Sequence, residues 1–288
     1  MDDFSLDMLI GSWLREDMPW GDVTTEALFS SPRMAEGEFL VRQDGVLAGT
    51  AVAARVFTLL DGTLEVEFFH RDGDAVRAGQ TIGRVRGDVR GILKGERLAL
   101  NLLGRLSGIA TRTRQFVRET EGTGARITDT RKTTPGLRQL EKEAVRSGGG
   151  VCHRMNLSDA VMIKDNHIAA AGGIRLAVEA ARRAVSHTTM IEVEAETFSQ
   201  AVEAMEAGAD IVMLDHMEPR EMASVVEVRP EGVRLEASGN ITLDRVRQVA
   251  GSGVDLISVG ELTHSVQVLD ISLNLGHKKA SGNGGTDY

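Results

Sequence analysis

Between Asp129 and His167 the chain reads DTRKTTPGLRQLEKEAVRSGGGVCHRMNLSDAVMIKDNH. Arg131, Lys132, Arg138, Lys142, Arg146, His153, Arg154 and Lys164 all fall within it. The protein as a whole is acidic, with a formal net charge of -9. A cationic cluster inside an acidic chain points to a local site for a small, highly charged anion. Arginine suits such a ligand because its planar fork binds carboxylate or phosphate bidentately. Thr134-Pro135-Gly136 and Gly148-Gly149-Gly150 interrupt the segment. There the backbone is expected to turn sharply or to approach a ligand closely.

The residues that would work with these cations sit at the ends of apolar runs. The runs are 125–128, 161–163, 190–193, 211–214, 233–237 and 256–259. They lead into Asp129-Thr130-Arg131-Lys132, Lys164-Asp165-Asn166-His167, Glu194, Asp215-His216, Ser238-Gly239-Asn240 and Gly260-Glu261. Helical patterns such as IRLAVEAARRAV, FSQAVEAMEAG and LDRVRQVAGSG separate them. The last four runs start roughly every 22 residues, about the span of one strand plus one helix. Short strands without strict alternation read as a parallel sheet buried on both faces. A closed or nearly closed α/β barrel is the natural fold, with a doubly wound open sheet as the alternative. In a barrel the strand ends converge on one mouth. Small-residue loops after the last two strands suit phosphate, since backbone N–H groups at helix starts favour anions.

The first hundred residues use a different grammar. Residues 4–14 and 51–60 have helical spacing, while EFLVRQ, TLEVEFFH and TIGRVRG are strand-like runs divided by Asp-Gly pairs. Residues 72–82, DGDAVRAGQTI, fit either the compact turn of a swivelling sandwich domain or an ordinary hairpin. Residues 92–120 form one long helical pattern through Leu98, Leu102, Leu103, Leu106, Ile109 and Ala110. Its arginines 97, 105, 112 and 114 read as a solvated face.

Bulk properties exclude some classes. Hydrophobic residues make up 42% and charged residues 26%, as in soluble globular proteins. Negative net charge argues against a broad nucleic-acid surface. No apolar run nears the ~18 residues of a spanning helix, and the acidic start, MDDFSLDMLIGSW, lacks the positive region of a secretory signal. The single cysteine, Cys152, rules out an intrachain disulfide and suits a reducing cytoplasm.

Glu16-Asp17 with GDVTT, NLLGRLSGIAT, TRKTTPG, GGG with HR, IKDNH, IEVE, LDHM, LEASGNIT and ISVGELTHS run in order across most of the chain. By these motifs the chain resembles the quinolinate phosphoribosyltransferase family, also called nicotinate-nucleotide pyrophosphorylases (carboxylating). The resemblance implies a glycosyltransferase of de novo NAD biosynthesis. It would join quinolinate to 5-phosphoribosyl-1-diphosphate with Mg²⁺, giving nicotinate mononucleotide, diphosphate and carbon dioxide.

The resemblance also implies an N-terminal open α/β sandwich, residues 1–110 completed by 268–288. That sandwich would pack on an incomplete TIM-like barrel, residues 111–267. Arg131, Lys132, His153, Arg154 and Lys164 would line the quinolinate and diphosphate region, and Arg105 would come from the partner of a homodimer or hexamer. Glu194 and Asp215 would hold ribose and Mg²⁺, directly or through water, with Glu192 behind them. Ser238, Gly239, Asn240, Val259, Gly260 and Glu261 would cradle the 5′-phosphate, mainly through backbone N–H groups. Lys132, Lys164, Glu194 and Asp215 would be the catalytic set.

Three features depart from that pattern: Cys152 where asparagine is common, Glu143 where an aromatic is common, and Glu261 in the phosphate loop. Pro19-Trp20 resembles a paralogous group found with molybdenum-transport genes, although that group typically lacks the KDNH pattern of residues 164–167. Two further readings therefore stand beside the main one. One is a paralogous transferase for another planar acid, and the other a non-catalytic anion-binding barrel.

Overall fold

The computed structural model describes residues 2–276. The described residues divide into two compact units, 2–108 with 268–276, and 109–267. The expectation of a polar, frayed tail after Leu275 lies almost wholly outside the described residues, as does most of the segment expected to complete the sandwich.

The first unit begins with α1 (Asp3–Asp17) and α2 (Val23–Leu28), then β1 (Met34–Val41), β2 (Gly45–Val46) and α3 (Thr50–Leu60). It continues with β3 (Glu65–Phe68), β4 (Ala75–Val76), β5 (Thr81–Asp88) and the start of α4 (Val89–Glu119). The side chain of Asp2 caps α1 by accepting from the Ser5 N–H at 2.9 Å. One antiparallel sheet has the order β12-β1-β5-β3. Its edge strand comes from the C-terminal segment, where Val41 pairs with Ile271 and Gly37 with Leu275. Helix α3 buries Val52, Ala53, Val56 and Phe57. Phe39 stacks on Phe68 with ring centres 5.0 Å apart and meets Phe57 edge-on at 6.0 Å.

Residues 72–82 do not close a hairpin of adjacent strands. β4 pairs with β2 instead, and the Asp72 carboxylate accepts from the N–H groups of Gly49 and Thr50, capping α3.

The boundary between the units falls inside α4, at Gly108 and Ile109. The second unit follows as β6 (Arg126–Thr128), α5 (Arg138–Ser147), β7 (Val161–Ile163), α6 (Asp165–Ala171), α7 (Ile174–Ala184) and β8 (Ile191–Ala195). Then come α8 (Phe198–Glu206), β9 (Ile211–Asp215), α9 (Pro219–Glu227), β10 (Arg234–Ser238), α10 (Val246–Ala250), β11 (Leu256–Ser258) and α11 (Glu261–His264). β12 (Ile271–Leu275) returns to the first unit.

The six strands β6 to β11 form a parallel sheet in the order β6-β11-β10-β9-β8-β7. The first strand therefore pairs with the last, as a barrel requires and a doubly wound sheet does not. Strand β8 is buried along nearly its whole length, with Ile191, Val193 and Ala195 at 0% exposure. The ring is incomplete between β6 and β7, where a single parallel bridge, Thr128 to Val151, stands in for a strand.

Two arginines expected on a solvated face of α4 are committed instead. Arg114 donates from Nε to the Gly148 carbonyl at 2.8 Å, satisfying the C-terminus of α5. Arg112 pairs with Glu261. The glycine triplet is likewise committed to packing. A β-carbon on Gly148 would stand 2.6 Å from the Ala110 carbonyl oxygen, and one on Gly150 would stand 2.8 Å from Val145. These glycines let α5 and its exit lie against α4, so they do not serve a ligand.

Candidate active site

Six strand ends open into one cavity of about 710 Å³, within the usual range for small-molecule sites. One wall carries Arg131, Lys132, His153, Arg154 and Lys164. Glu194 and Asp215 face it from β8 and β9. The pairing of Glu194 with Met213 sets both carboxylates on the same face of the sheet, since Asp215 lies two residues beyond Met213. Ser238, Gly239, Asn240, Gly260 and Glu261 complete the rim.

The cationic wall is built on a buried ion pair behind it. Lys142 Nζ lies 2.5 Å from Asp129 Oδ1, and both side chains are fully buried. Lys142 also donates to the His153 carbonyl at 3.1 Å, and Asp129 accepts from the His153 N–H at 2.8 Å. The pair thus fixes the backbone that presents His153 and Arg154. Lys142 is therefore unavailable to a ligand, and Arg138 is occupied by Thr133 Oγ1 at 2.9 Å. Burial pushes the Asp129 carboxyl above its ordinary range, more strongly than Lys142 pulls it down.

Arg131 and Arg154 are the cations with most to gain from an anion. Arg131 Nε is buried and meets no acceptor among the described residues. Burial, and then the charge of Arg131, push Arg154 below its ordinary value. Two guanidinium groups held in a wall with incomplete compensation stabilise any anion that reaches both. Arg154 is oriented by donating to the Ala160 carbonyl at 3.0 Å.

His153 lines the cavity, but its Nε2 turns inward. It lies 3.2 Å from Glu192 and 3.5 Å from Glu236, both nearly inaccessible. The Arg154 N–H stands 2.7 Å from Nδ1, which fits a neutral ring. Burial works against the charge, but hydrogen bonds to Glu192 and Glu236 raise the pKa to about 10. Glu192 is itself pushed upward by its burial. Because Nδ1 accepts from the Arg154 N–H, Nε2 carries the ring's proton and directs it into the core, toward Glu192 and Glu236.

Lys164 is tied to Glu194 by a close ion pair across the mouth. Asp215 is tied to His216, with Oδ2 2.7 Å from Nδ1. His216 has φ 57 and Asn240 has φ 48, both left-handed conformations that non-glycine residues rarely adopt. A β-carbon on Gly239 would stand 2.7 Å from the His216 ring and backbone nitrogen. The β9 and β10 ends therefore interlock through a residue that must be glycine.

Val259 is a correction to the expected phosphate cradle. Its N–H donates to the Thr128 carbonyl at 3.0 Å and its side chain is buried at 1% exposure. It holds β6 to β11 and has no donor to offer. Arg105 belongs to the first unit's part of α4. Thr130 and His216, within the strand-end groups named above, line the cavity too, as do Met162, Met213, Thr242 and His264, which lie outside those groups. His216 follows Asp215 directly, and His264 lies within one helical turn of Glu261. Counting one helical turn past Glu261 would have found His264.

The two halves of the chain have separate counterparts among known families. The quinolinate phosphoribosyl transferase C-terminal domain matches residues 109–274, and its N-terminal domain matches residues 22–107. The chain belongs to the quinolinate phosphoribosyltransferase family. It is 44% identical over 275 residues to a probable nicotinate-nucleotide pyrophosphorylase [carboxylating] of Bacillus subtilis (strain 168), covering 96% of this chain and 95% of that one. It is 41% identical over 282 residues to the nicotinate-nucleotide pyrophosphorylase [carboxylating] of Homo sapiens, covering 96% and 94%. The crystal structure of NadC from Streptococcus pyogenes matches with a TM-score of 0.92 at 41% identity, over 96% of this chain and 98% of that one. A TIM-like barrel in a quinolinate phosphoribosyltransferase accounts for the six-stranded parallel sheet.

Two of the departures have structural answers. Cys152 is half-buried and donates from Sγ to the Lys142 carbonyl at 3.4 Å. Burial, and then the charge of Asp129, push its thiol up. A neighbouring cationic cluster would lower it, but here the cations are outweighed. Glu261 is held by Arg112.

Proposed function

We propose that this cavity transfers the phosphoribosyl group of 5-phosphoribosyl-1-diphosphate to quinolinate. The ring 2-carboxylate is lost, giving nicotinate mononucleotide, diphosphate and carbon dioxide in de novo NAD biosynthesis. The observation that carries this reading is the pair Arg131 and Arg154, half-compensated in the cavity wall, with Arg131 Nε still without an acceptor. Quinolinate offers two planar carboxylates, the shape that a guanidinium fork binds best. Binding it beside a polyphosphate would be strongly repulsive without such a wall.

Holding the two anions side by side accounts for much of the rate, because alignment removes translational and rotational freedom beforehand. The pyridine nitrogen attacks the anomeric carbon as the bond to diphosphate breaks, and diphosphate departs with the electron pair. Glu194 and Asp215 stabilise the positive charge that develops at the sugar. Carbon dioxide leaves, the electrons of the breaking bond stay on carbon 2, where the adjacent pyridinium charge stabilises them, and carbon 2 takes up a proton. Lys132 and Lys164, both on the cavity wall, are the candidates to assist that step.

Two carboxylates on one sheet face, with substrate oxygens, suit Mg²⁺, which prefers oxygen ligands and keeps several waters. Glu194 and Asp215 would hold it, directly or through water. When bound it supplies positive charge against diphosphate. Ser238, Gly239, Asn240 and Gly260 would receive the 5′-phosphate, mainly through backbone N–H groups, and Glu261 would offer its backbone N–H only. In a homodimer or hexamer, Arg105 of a neighbouring subunit would add a cation to the quinolinate end. No described helix is long and apolar enough to cross a membrane, and a lone half-buried thiol suits a reducing cytoplasm.

The test mixes purified protein with the phosphoribosyl donor, Mg²⁺ and either quinolinate or nicotinate. Nicotinate mononucleotide from quinolinate alone, with one carbon dioxide per turnover, is the expected result. Product from nicotinate, or from neither acid, would overturn the proposal.

A further inference from the structure

Glu261 poses an electrostatic problem. It opens α11 and lines the cavity, in the arc assigned above to the 5′-phosphate. A free carboxylate there would repel a dianion. Arg112, on α4, answers that charge. Its Nε donates to Glu261 Oε1 at 2.7 Å, and Nη2 lies closer still to the same oxygen. Its guanidinium sits 4.9 Å from the ring centre of Phe116, which is fully buried. Nη1 donates to Gln115 Oε1 at 2.8 Å. Three partners thus fix the guanidinium in one place, directed at Glu261. Both side chains are only partly exposed, Arg112 at 33% and Glu261 at 26%, so solvent screens the pair incompletely.

We infer that Arg112 is a positioning residue for phosphoribosyl-donor binding: it neutralises Glu261 and holds that carboxylate off the phosphate arc. This rests on the phosphate assignment made above. Arg112 itself does not line the cavity. Its effect on the donor passes through Glu261, whose carboxylate lies in the arc assigned to the 5′-phosphate.

A second role for the same pair is separable. α11 is also tied to the cationic wall, since Thr263 Oγ1 donates to the Lys132 carbonyl at 2.8 Å. The Lys132 side chain and the His264 ring each lie 3.1 Å from where a Gly260 β-carbon would stand. If Arg112 served mainly as a mechanical anchor for α11, removing it would loosen Lys132, and removing the Glu261 charge as well would not help. If it serves as a charge mask, removing both charges restores the arc.

The experiment is a double-mutant cycle on the full-length protein with R112Q, E261Q and R112Q/E261Q. It reads inorganic phosphate affinity by calorimetry, and KM for the donor and for quinolinate by kinetics. R112Q should weaken phosphate and raise the donor KM by roughly ten- to hundredfold, the scale of one unmasked charge at a partly screened site. Quinolinate KM should stay near wild type. E261Q and the double variant should bind phosphate as well as wild type or better. A double variant as impaired as R112Q overturns the proposal in favour of anchoring. Unchanged phosphate affinity in R112Q also overturns it. If R112Q fails to fold, E261Q still decides: weaker phosphate binding in E261Q shows that the carboxylate helps the ligand and refutes the mask. Wild-type protein that makes product while the cycle shows no coupling loses only this inference. Wild-type protein that neither binds phosphate nor makes product loses the functional reading with it.

Discussion

Replacing Lys142 by methionine should be among the most damaging single changes in the barrel. The new side chain is apolar and of similar length, so it fills the space. What is lost is the ammonium 2.5 Å from Asp129, in a place where both side chains have 0% exposure. The variant leaves a buried carboxylate whose Oδ2 already meets no hydrogen-bond partner among the described residues and a His153 carbonyl without its donor at 3.1 Å. Breaking one side of a buried pair costs about 3–5 kcal/mol, chiefly because the remaining charge is uncompensated. For a unit of this size that lowers the melting midpoint by roughly 6–20 °C.

The pH dependence gives a second signature. Burial already holds the Asp129 pKa above its unfolded value, and loss of Lys142 removes the main opposing pull. A carboxyl with a raised folded pKa is relatively stabilised when protonated, and that gain is lost as pH rises through the folded pKa. The deficit of Lys142→Met should therefore shrink as pH falls from about 8 toward about 5. Urea unfolding of wild type and variant at both pH values measures this. A loss below about 1 kcal/mol, or a deficit that does not shrink in acid, would refute the account of Lys142 as counter-charge to a buried acid.

Three other outcomes are expected. Asp215→Asn should lower turnover and impair donor use while leaving quinolinate affinity nearly unchanged, as steady-state kinetics with each substrate varied would show; unchanged turnover removes Asp215 from the chemistry. Cys152→Ser should keep most activity, because burial and Asp129 disfavour the thiolate and no step needs a thiolate nucleophile; a folded but inactive variant would reverse that conclusion. Mixing inactive Arg105→Ala with inactive Lys132→Ala under subunit exchange should restore activity toward roughly one quarter of wild type, since a two-fold interface leaves one intact site per heterodimer; confirmed exchange without recovery would place Arg105 outside shared sites.

Much of the barrel was legible because apolar strand runs and helical spacing are local signals. All six runs from 125 to 259 became strands of the parallel sheet, within one or two residues at each end. The pairing of β6 with β11 also settled barrel against open sheet. Polar residues one step past strand ends were legible as a site for the same reason. What the sequence could not show was the partner each charge would find. Lys142 and Arg138 look like Arg131 and Arg154 in a linear reading, yet the first two are spent inside the wall. The glycines 148 and 150 look like ligand glycines and are packing glycines, because the close neighbours are Ala110 and Thr113, far earlier in the chain. His153 was read as facing the ligand, while its Nε2 faces two acids from other strands.

The seam of the barrel bears on how the molecule folds. Most neighbours in the ring are consecutive strands, joined by one helix each or, between β7 and β8, by two, so their contacts are local. β6 is the exception: its ladder partner is β11, the last strand of the barrel, with Thr128 beside Ser258. On its other side only the Val151 bridge holds it. The loop that must close before β6 is seated therefore spans nearly the whole unit, and its entropy has to be overcome late. Arg131 and Lys132 follow β6 directly, whereas the small-residue rim belongs to β10 and β11. A chain caught before that final pairing carries both halves of the anion site, correctly formed locally, and has no cavity for a ligand to enter.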